Sequence, residues 1–166
     1  MEMICQPIGV IRSPFDSLEG MPIQPTGAKG VRGEVHIFEQ YREGLKDLEG
    51  FSHIILLYHF HKSTGFKLLV KPFMDTVPRG LFSTRAPNRP SKIGLSIVRL
   101  LATEGTVLAI EDVDILDQTP LLDIKPYVAK FDAAPADRFG WLEKSDHKAE
   151  HMRSDSRFTS QKEDQG

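Results

Sequence analysis

The segment Ser52–His61 (SHIILLYHFH) constrains the fold more than any other stretch of the chain. Its first half is apolar on both faces, as expected of a central strand. Its second half sets Tyr58 and Phe60 on one face against His59 and His61 on the other. Other segments are of the same kind. Ile4–Ile11 is rich in β-branched residues and ends at the turn signal Ser13-Pro14, and Gly33–Phe38 alternates. Phe66–Phe73 and Gly80–Thr84 read as strands separated by a turn near Pro78, and Ile93–Ala102 and Thr106–Ile115 as a hairpin around Glu104-Gly105. Only Tyr41, Leu45 and Leu48 recur at helical spacing, with Gly50 where a C-terminal cap would sit. Asp16–Gly33 holds four glycines and two prolines and reads as a long loop. Thr119-Pro120 and Pro126 are expected to break regular structure ahead of a short segment around Tyr127–Phe131. Many short strands with few helices predict a mainly β protein, a single-domain β-barrel with one or two short helices and an irregular C-terminal tail. The barrel is expected over residues 1–135 and a short charged extension over 136–166. From Glu143 onward 11 of 24 residues are charged, too few apolar ones to pack alone, so this tail should fray or order against a partner chain.

Composition narrows the class. A chain of 166 residues with 40% hydrophobic and 27% charged residues can bury a core of its own. The longest apolar run, Ile54–Tyr58, is strand-sized and far from the roughly eighteen residues of a membrane span. The N-terminus lacks the pattern of a secretory signal. One cysteine, Cys5, excludes an internal disulfide framework, fits a reducing cytoplasm, and reads as a small buried apolar residue.

The net charge of −2 argues by itself against a nucleic-acid partner, but its distribution does not. Ile54–Thr103 carries eight Lys and Arg against the single acid Asp75, whereas Glu104–Asp123 carries six acids and no Lys or Arg. An acidic protein can still present a local basic face to phosphate; equally, folding can scatter these charges over unrelated surfaces. No dinucleotide fingerprint, P-loop or zinc spacing is present. Gly27–Gly33 is glycine-rich but leads into a strand, so it reads as a loop. His59 and His61, two apart on a strand, have the spacing of a metal pair or of a polar pocket lining, and no further ligand stands out.

Two stretches remain. Arg79, Arg85, Arg89, Lys92 and Arg99 fall in an acid-free segment stiffened by Pro87, Asn88 and Pro90, which suits recognition of phosphate, carboxylate or stacked bases, or is a solvated loop. Asp114, Asp117 and Asp123 sit among apolar residues near turn-forming prolines. They could accept from ribose hydroxyls or an ammonium group, or bind their own backbone. Taken together, GLFSTRAPNRPSKIGLS (80–96) and DILDQTPLLDIKPY (114–127) resemble the TrmO (TsaA-like, YaeB-like) family of tRNA methyltransferases that depend on S-adenosylmethionine. IGVIRSP (8–14), GFSH (50–53) and Phe60-His61 agree with the same pattern.

That resemblance implies a β-barrel enzyme acting as a homodimer in the cytoplasm, methylating N6 of threonylcarbamoyl-adenosine beside the anticodon of tRNA. It implies cofactor contacts at Pro22, Ile23, Gln24, His61, Lys62, Arg85, Leu95, Asp114, Ile115, Leu116 and Asp117. Bacterial members often carry Arg at the position of Ile23 and Gln at that of Lys62, so those two contacts would pass to backbone or to other atoms. Many also carry a longer C-terminal domain, here about thirty residues. With Arg85 and Leu95 turned to the cofactor, Arg79, Arg89 and Lys92 are left for RNA. Asp123, Lys125 and Tyr127 are candidates for handling the proton of the target nitrogen, a poor nucleophile until that proton leaves, or the threonyl carboxylate. The competing readings are a non-catalytic RNA-binding barrel and a metal-dependent barrel enzyme built on His59 and His61.

Overall fold

The alternation along Ser52–His61 becomes a strand with Ile54, Leu56 and Tyr58 turned inward, the first two fully buried and Tyr58 nearly so. The computed structural model describes residues 4–22, 25–73 and 75–144. Its strands are β1 (Gly9–Arg12), β2 (Arg32–Ile37), β3 (His53–His59), β4 (Leu69–Val70), β5 (Arg79–Gly80), β6 (Ile93–Glu104), β7 (Val107–Glu111) and β8 (Thr119–Pro126). Six of them close a barrel in the order β1-β2-β7-β6-β3-β8, each antiparallel to its neighbours, while β4 and β5 pair as a separate ribbon. Closure leaves the barrel itself without a free sheet edge to template association. Inside, β3 meets Val35, Val98, Leu108, Ile110 and Leu121, all fully buried, along with Val113 and Ile115 from the segment after β7. Each such side chain contributes about 1.5–3 kcal/mol relative to exposure.

The barrel is as expected; several element boundaries are not. The strand expected over Ile4–Ile11 begins only at Gly9, as β1, and Cys5 is exposed instead of buried. The helix expected near Tyr41–Leu48 is two 3-10 turns, Glu39–Leu45 and Leu48–Gly50, separated by Asp47 in the left-handed region (φ 67°), which interrupts α-helical bonding. Phe66–Phe73 and Gly80–Thr84 shrink to the two-residue strands β4 and β5, with Leu81–Ser83 forming a 3-10 turn. The largest correction is β8, where proline was expected to break structure. Pro120 faces only β1 and Pro126 only β3, so each missing N–H falls on a side without a ladder partner. A short helix, α1 (Ala129–Asp132), follows. Among the described residues no helix is long and apolar enough to cross a membrane.

Candidate functional site

Three segments converge at the end of the barrel where β3 finishes. The turn after β3 is tied to the basic loop: Ser63 Oγ contacts both the Pro87 carbonyl (3.1 Å) and buried Asn88, and the Phe60 N–H donates to the Lys92 carbonyl (2.8 Å). The basic loop holds itself as well. Thr84 Oγ1 donates to the Leu81 carbonyl, and Arg89 Nη1 donates to the carbonyls of Thr84 (2.9 Å) and Ala86 (3.2 Å). The third segment, Asp112–Asp117, is fastened to the chain after β1 by Ser13 Oγ donating to the Ile115 carbonyl (2.6 Å) and by the Asp117 N–H donating to the Phe15 carbonyl (2.7 Å).

A polar chain runs from the core to this mouth. Ser96, on β6 and 1% exposed, donates from Oγ to Asp114 Oδ1 at 2.7 Å. Its single proton is thereby used, so Tyr58 must donate to it across their 3.0 Å contact. Gly94 makes this possible, because a Cβ there would run into the Tyr58 ring. Burial pushes the Asp114 carboxyl up to about 6, against the opposing hydrogen bond from Ser96 and the charge of Arg85. Burial, joined by the Asp114 charge, likewise raises the Tyr58 hydroxyl, which stays protonated as a donor. For His61, burial and then the charges of Lys62 and His59 hold the imidazole below its ordinary value, so it is a neutral acceptor at neutral pH. Thr119 Oγ1 lies 3.5 Å from His61 Nδ1 and already donates to the Leu116 carbonyl (2.7 Å).

The residues singled out from sequence separate into groups. Asp114 and Arg85 come within electrostatic reach of each other, His61 lies in the turn after β3 beside Thr119, and Arg85 and Lys62 are exposed. Ile115 and Leu116 are buried and both carbonyls are occupied, so their side chains serve the core. Asp117 is turned to β1. Its burial favours the neutral acid, but the Ser13 N–H (3.1 Å), Gln118 and Arg12 (3.2 Å) outweigh that and hold it below its ordinary value. Pro22 is buried; Ile23 and Gln24 lie outside the described residues. Leu95 points outward from the barrel wall and is 54% exposed. Among the RNA candidates, Arg79 forms a two-bond pair with Asp75 (2.9 and 2.7 Å), Arg89 holds the loop, and Lys92 has a left-handed backbone (φ 47°). Asp123 and Lys125 pair with each other (2.7 Å) on the outer wall of β8. Tyr127 lies at the far end, its N–H donating to the His53 carbonyl. His59 ends β3 and His61 falls in the following turn, so they do not share a strand. Among the described residues no three His, Cys, Asp or Glu are placed to share a metal ion. A cleft of about 460 Å³ over β1 and β2 has only Asp117 in common with these residues, so the candidate site is taken from the converging chemistry and not from that cleft.

Sequence reasoning missed Ser96, Thr119 and the role of Tyr58. The available signal was phase: Ser96 follows Gly94 by two on a strand whose inward face is otherwise apolar, and an inward polar residue calls for a partner.

Fold and site define a small antiparallel β-barrel whose ligand chemistry is gathered by loops at one mouth. The chain belongs to the tRNA-methyltransferase O N-terminal domain family, whose model matches residues 10–133. It is 55% identical over 159 residues to a Pyrococcus abyssi protein named as a probable S-adenosyl-L-methionine-binding protein, covering 95% of this chain and 86% of that one. The tRNA (adenine(37)-N6)-methyltransferase of Escherichia coli is 35% identical over 138 residues, 77% of this chain and 59% of the enzyme. The crystal structure of TrmO from Pseudomonas aeruginosa aligns with a TM-score of 0.71 at 38% identity, over 85% of this chain and 63% of that one. The chain thus spans less than two thirds of the Escherichia coli methyltransferase and most of the archaeal protein.

Proposed function

We propose that this chain binds S-adenosylmethionine at the mouth formed by His61, Arg85 and Asp114 and methylates N6 of the threonylcarbamoyl-adenosine beside the anticodon of tRNA. We further propose that it works as a homodimer in the cytoplasm. The observation that carries the reading is Asp114, a carboxylate withdrawn from water, held by Ser96 and facing the charge of Arg85. This donor set fits the cofactor. The sulfonium and ammonium groups are cations that a carboxylate would hold, and the cofactor's own carboxylate suits an exposed guanidinium. When bound, the cofactor supplies a methyl group on a sulfonium leaving group.

The residues of the chain then act by positioning, which provides most of the catalysis in such an in-line displacement. Ser96 and Tyr58 keep the Asp114 carboxylate in one orientation. Arg85, exposed on a loop fixed by Asn88 and Thr84, is presented to the ligand without having to order first. His61, held neutral at neutral pH, is the group of this set best suited to receive the proton of the target nitrogen. It is a better acceptor than Asp123, which is paired to Lys125 on the outer wall. The family match and the archaeal relative's name support the cofactor; the names of the longer methyltransferases support the tRNA.

The test is transfer of a labelled methyl group to tRNA carrying or lacking the threonylcarbamoyl modification. Label confined to the modified tRNA is the expected result. Label on unmodified RNA, or on a small molecule alone, overturns the substrate, and no cofactor binding at millimolar concentration overturns the enzyme.

A further inference from the structure

Phe82 is 72% exposed in the middle of a loop that is otherwise held from every side. Leu81 just before it is buried, Thr84 Oγ1 bonds back to the Leu81 carbonyl, and the Trp141 indole N–H donates to the Ser83 carbonyl at 2.8 Å. The ring is therefore presented to solvent by a rigid support, at the cost of leaving a large apolar surface in water. Arg89 lies over it, with the guanidinium carbon 5.8 Å from the ring centroid, and is itself fixed by the two loop carbonyls it bonds. Beside them a hollow of about 200 Å³ is lined by Phe82, Arg89, Pro90, Ser91, Lys92 and Ile93. Its lining includes two cations and no acid. It falls below the roughly 300–1,000 Å³ that encloses drug-sized ligands, so a whole cofactor is too large for it, whereas one planar ring system is not.

We propose that Phe82 and Arg89 form a stacking site for a single unpaired nucleobase of the RNA, with Lys92 beside it for the adjoining phosphate. An aromatic face carrying a guanidinium, next to a lysine, is the combination by which single-stranded RNA is held without reading its sequence. Apolar exposure alone would serve a protein partner equally well; the absence of any carboxylate in the lining favours the polyanion. The site rests on the proposed RNA substrate, and its lining includes none of His61, Arg85 and Asp114.

The test is fluorescence anisotropy of a labelled anticodon stem-loop RNA against the full chain over a range of salt. Phe82→Ala should weaken binding about 10-fold or more with the salt slope unchanged, and Phe82→Trp should restore it. Lys92→Gln should instead reduce the slope by about one. Because Phe82 is exposed, the melting temperature and S-adenosylmethionine binding should stay as in the native chain. Unchanged RNA affinity in Phe82→Ala overturns the stacking site alone, as does a change in oligomeric mass, which would assign the ring to a second copy. Failure of the native chain to bind the RNA at all would overturn both this site and the RNA half of the proposed function.

Discussion

Asp114 carries an electrostatic cost that its neighbours only partly offset, and the cost can be measured. Its carboxyl is raised to about 6 chiefly by burial, so the folded chain binds a proton more tightly than the unfolded chain does. The stability linked to this group is fully present below its unfolded value near 3.8 and is lost as pH rises through about 6. Asp114→Asn, which is never charged, should therefore be more stable than the native chain at pH 7 to 8, by at most roughly 3 kcal/mol. The advantage should fade below about pH 6 and be gone near pH 4, as read from melting temperatures across that range. The same variant should lose cofactor binding, while the native chain should bind more weakly with falling pH, by up to about tenfold per unit below 6. A native carboxylate as stable as Asn at every pH would show that its burial serves no function of this kind. Gly94 tests the chain of hydroxyls behind it. Gly94→Ala forces the Tyr58 ring aside, with an expected loss of about 1–3 kcal/mol in urea unfolding. In Gly94→Ala/Tyr58→Leu part of that loss should disappear, because the clash with Tyr58 has gone and only that with Phe60 remains; strict additivity of the two changes would count against it.

At the level of elements, β3 was legible because its alternation and apolar content point the same way, and the β6–β7 hairpin because Gly105 supplies the left-handed turn (φ 63°). β8 was not, since the rule that proline breaks strands does not know which flank of a strand lacks a neighbour; only the closed strand order fixes that for Pro120 and Pro126. The site divides similarly. Arg85 and Asp114 could be named because they lie in motifs, but the partners Tyr58 and Ser96 are 38 residues apart and meet only when β3 and β6 pair. Arg79 and Arg89 were read by charge alone, which cannot reveal that Asp75 or loop carbonyls already occupy them. The unpacked tail was read only from Glu143 onward; just ahead of it, within the expected extension, Trp141 bonds Ser83 and lies 5.8 Å from the Arg79 guanidinium. It is the sole tryptophan of the chain, so its fluorescence reports this docking directly. Trp141→Ala should change barrel stability by no more than about 0.5 kcal/mol, since none of the core depends on it. Limited proteolysis between β4 and β6 should nevertheless become several-fold faster, because local opening there has lost its restraint. Equal cleavage rates would mean that the loop holds itself without the extension.

For the whole molecule, the outer wall is as informative as the core. A closed barrel with a filled interior should turn polar residues to water along every strand. On β6, however, Ile93, Leu95 and Leu101 are 37%, 54% and 41% exposed, and Leu95 sits opposite Leu57 of β3. Such residues are unremarkable when scattered, but here they recur along one face of neighbouring strands, where a soluble protein usually meets a partner. A second copy related by a two-fold axis could cover this strip with its own equivalent, which is why the proposed homodimer is assigned to this wall. The Asp123–Lys125 pair on the adjoining face of β8 would then lie at the border, where charge fixes register more than affinity. Leu95→Glu puts a carboxylate into the centre of the strip without touching the interior, so the barrel should keep its melting temperature within a few degrees. Sedimentation equilibrium should give the mass of two chains for the native protein and of one for the variant. If cofactor affinity falls with the mass, the mouth depends on the second copy. If it stays, Leu95 serves assembly alone. A native protein that sediments as a single chain at every concentration would remove the dimer and leave the exposed leucines for the RNA.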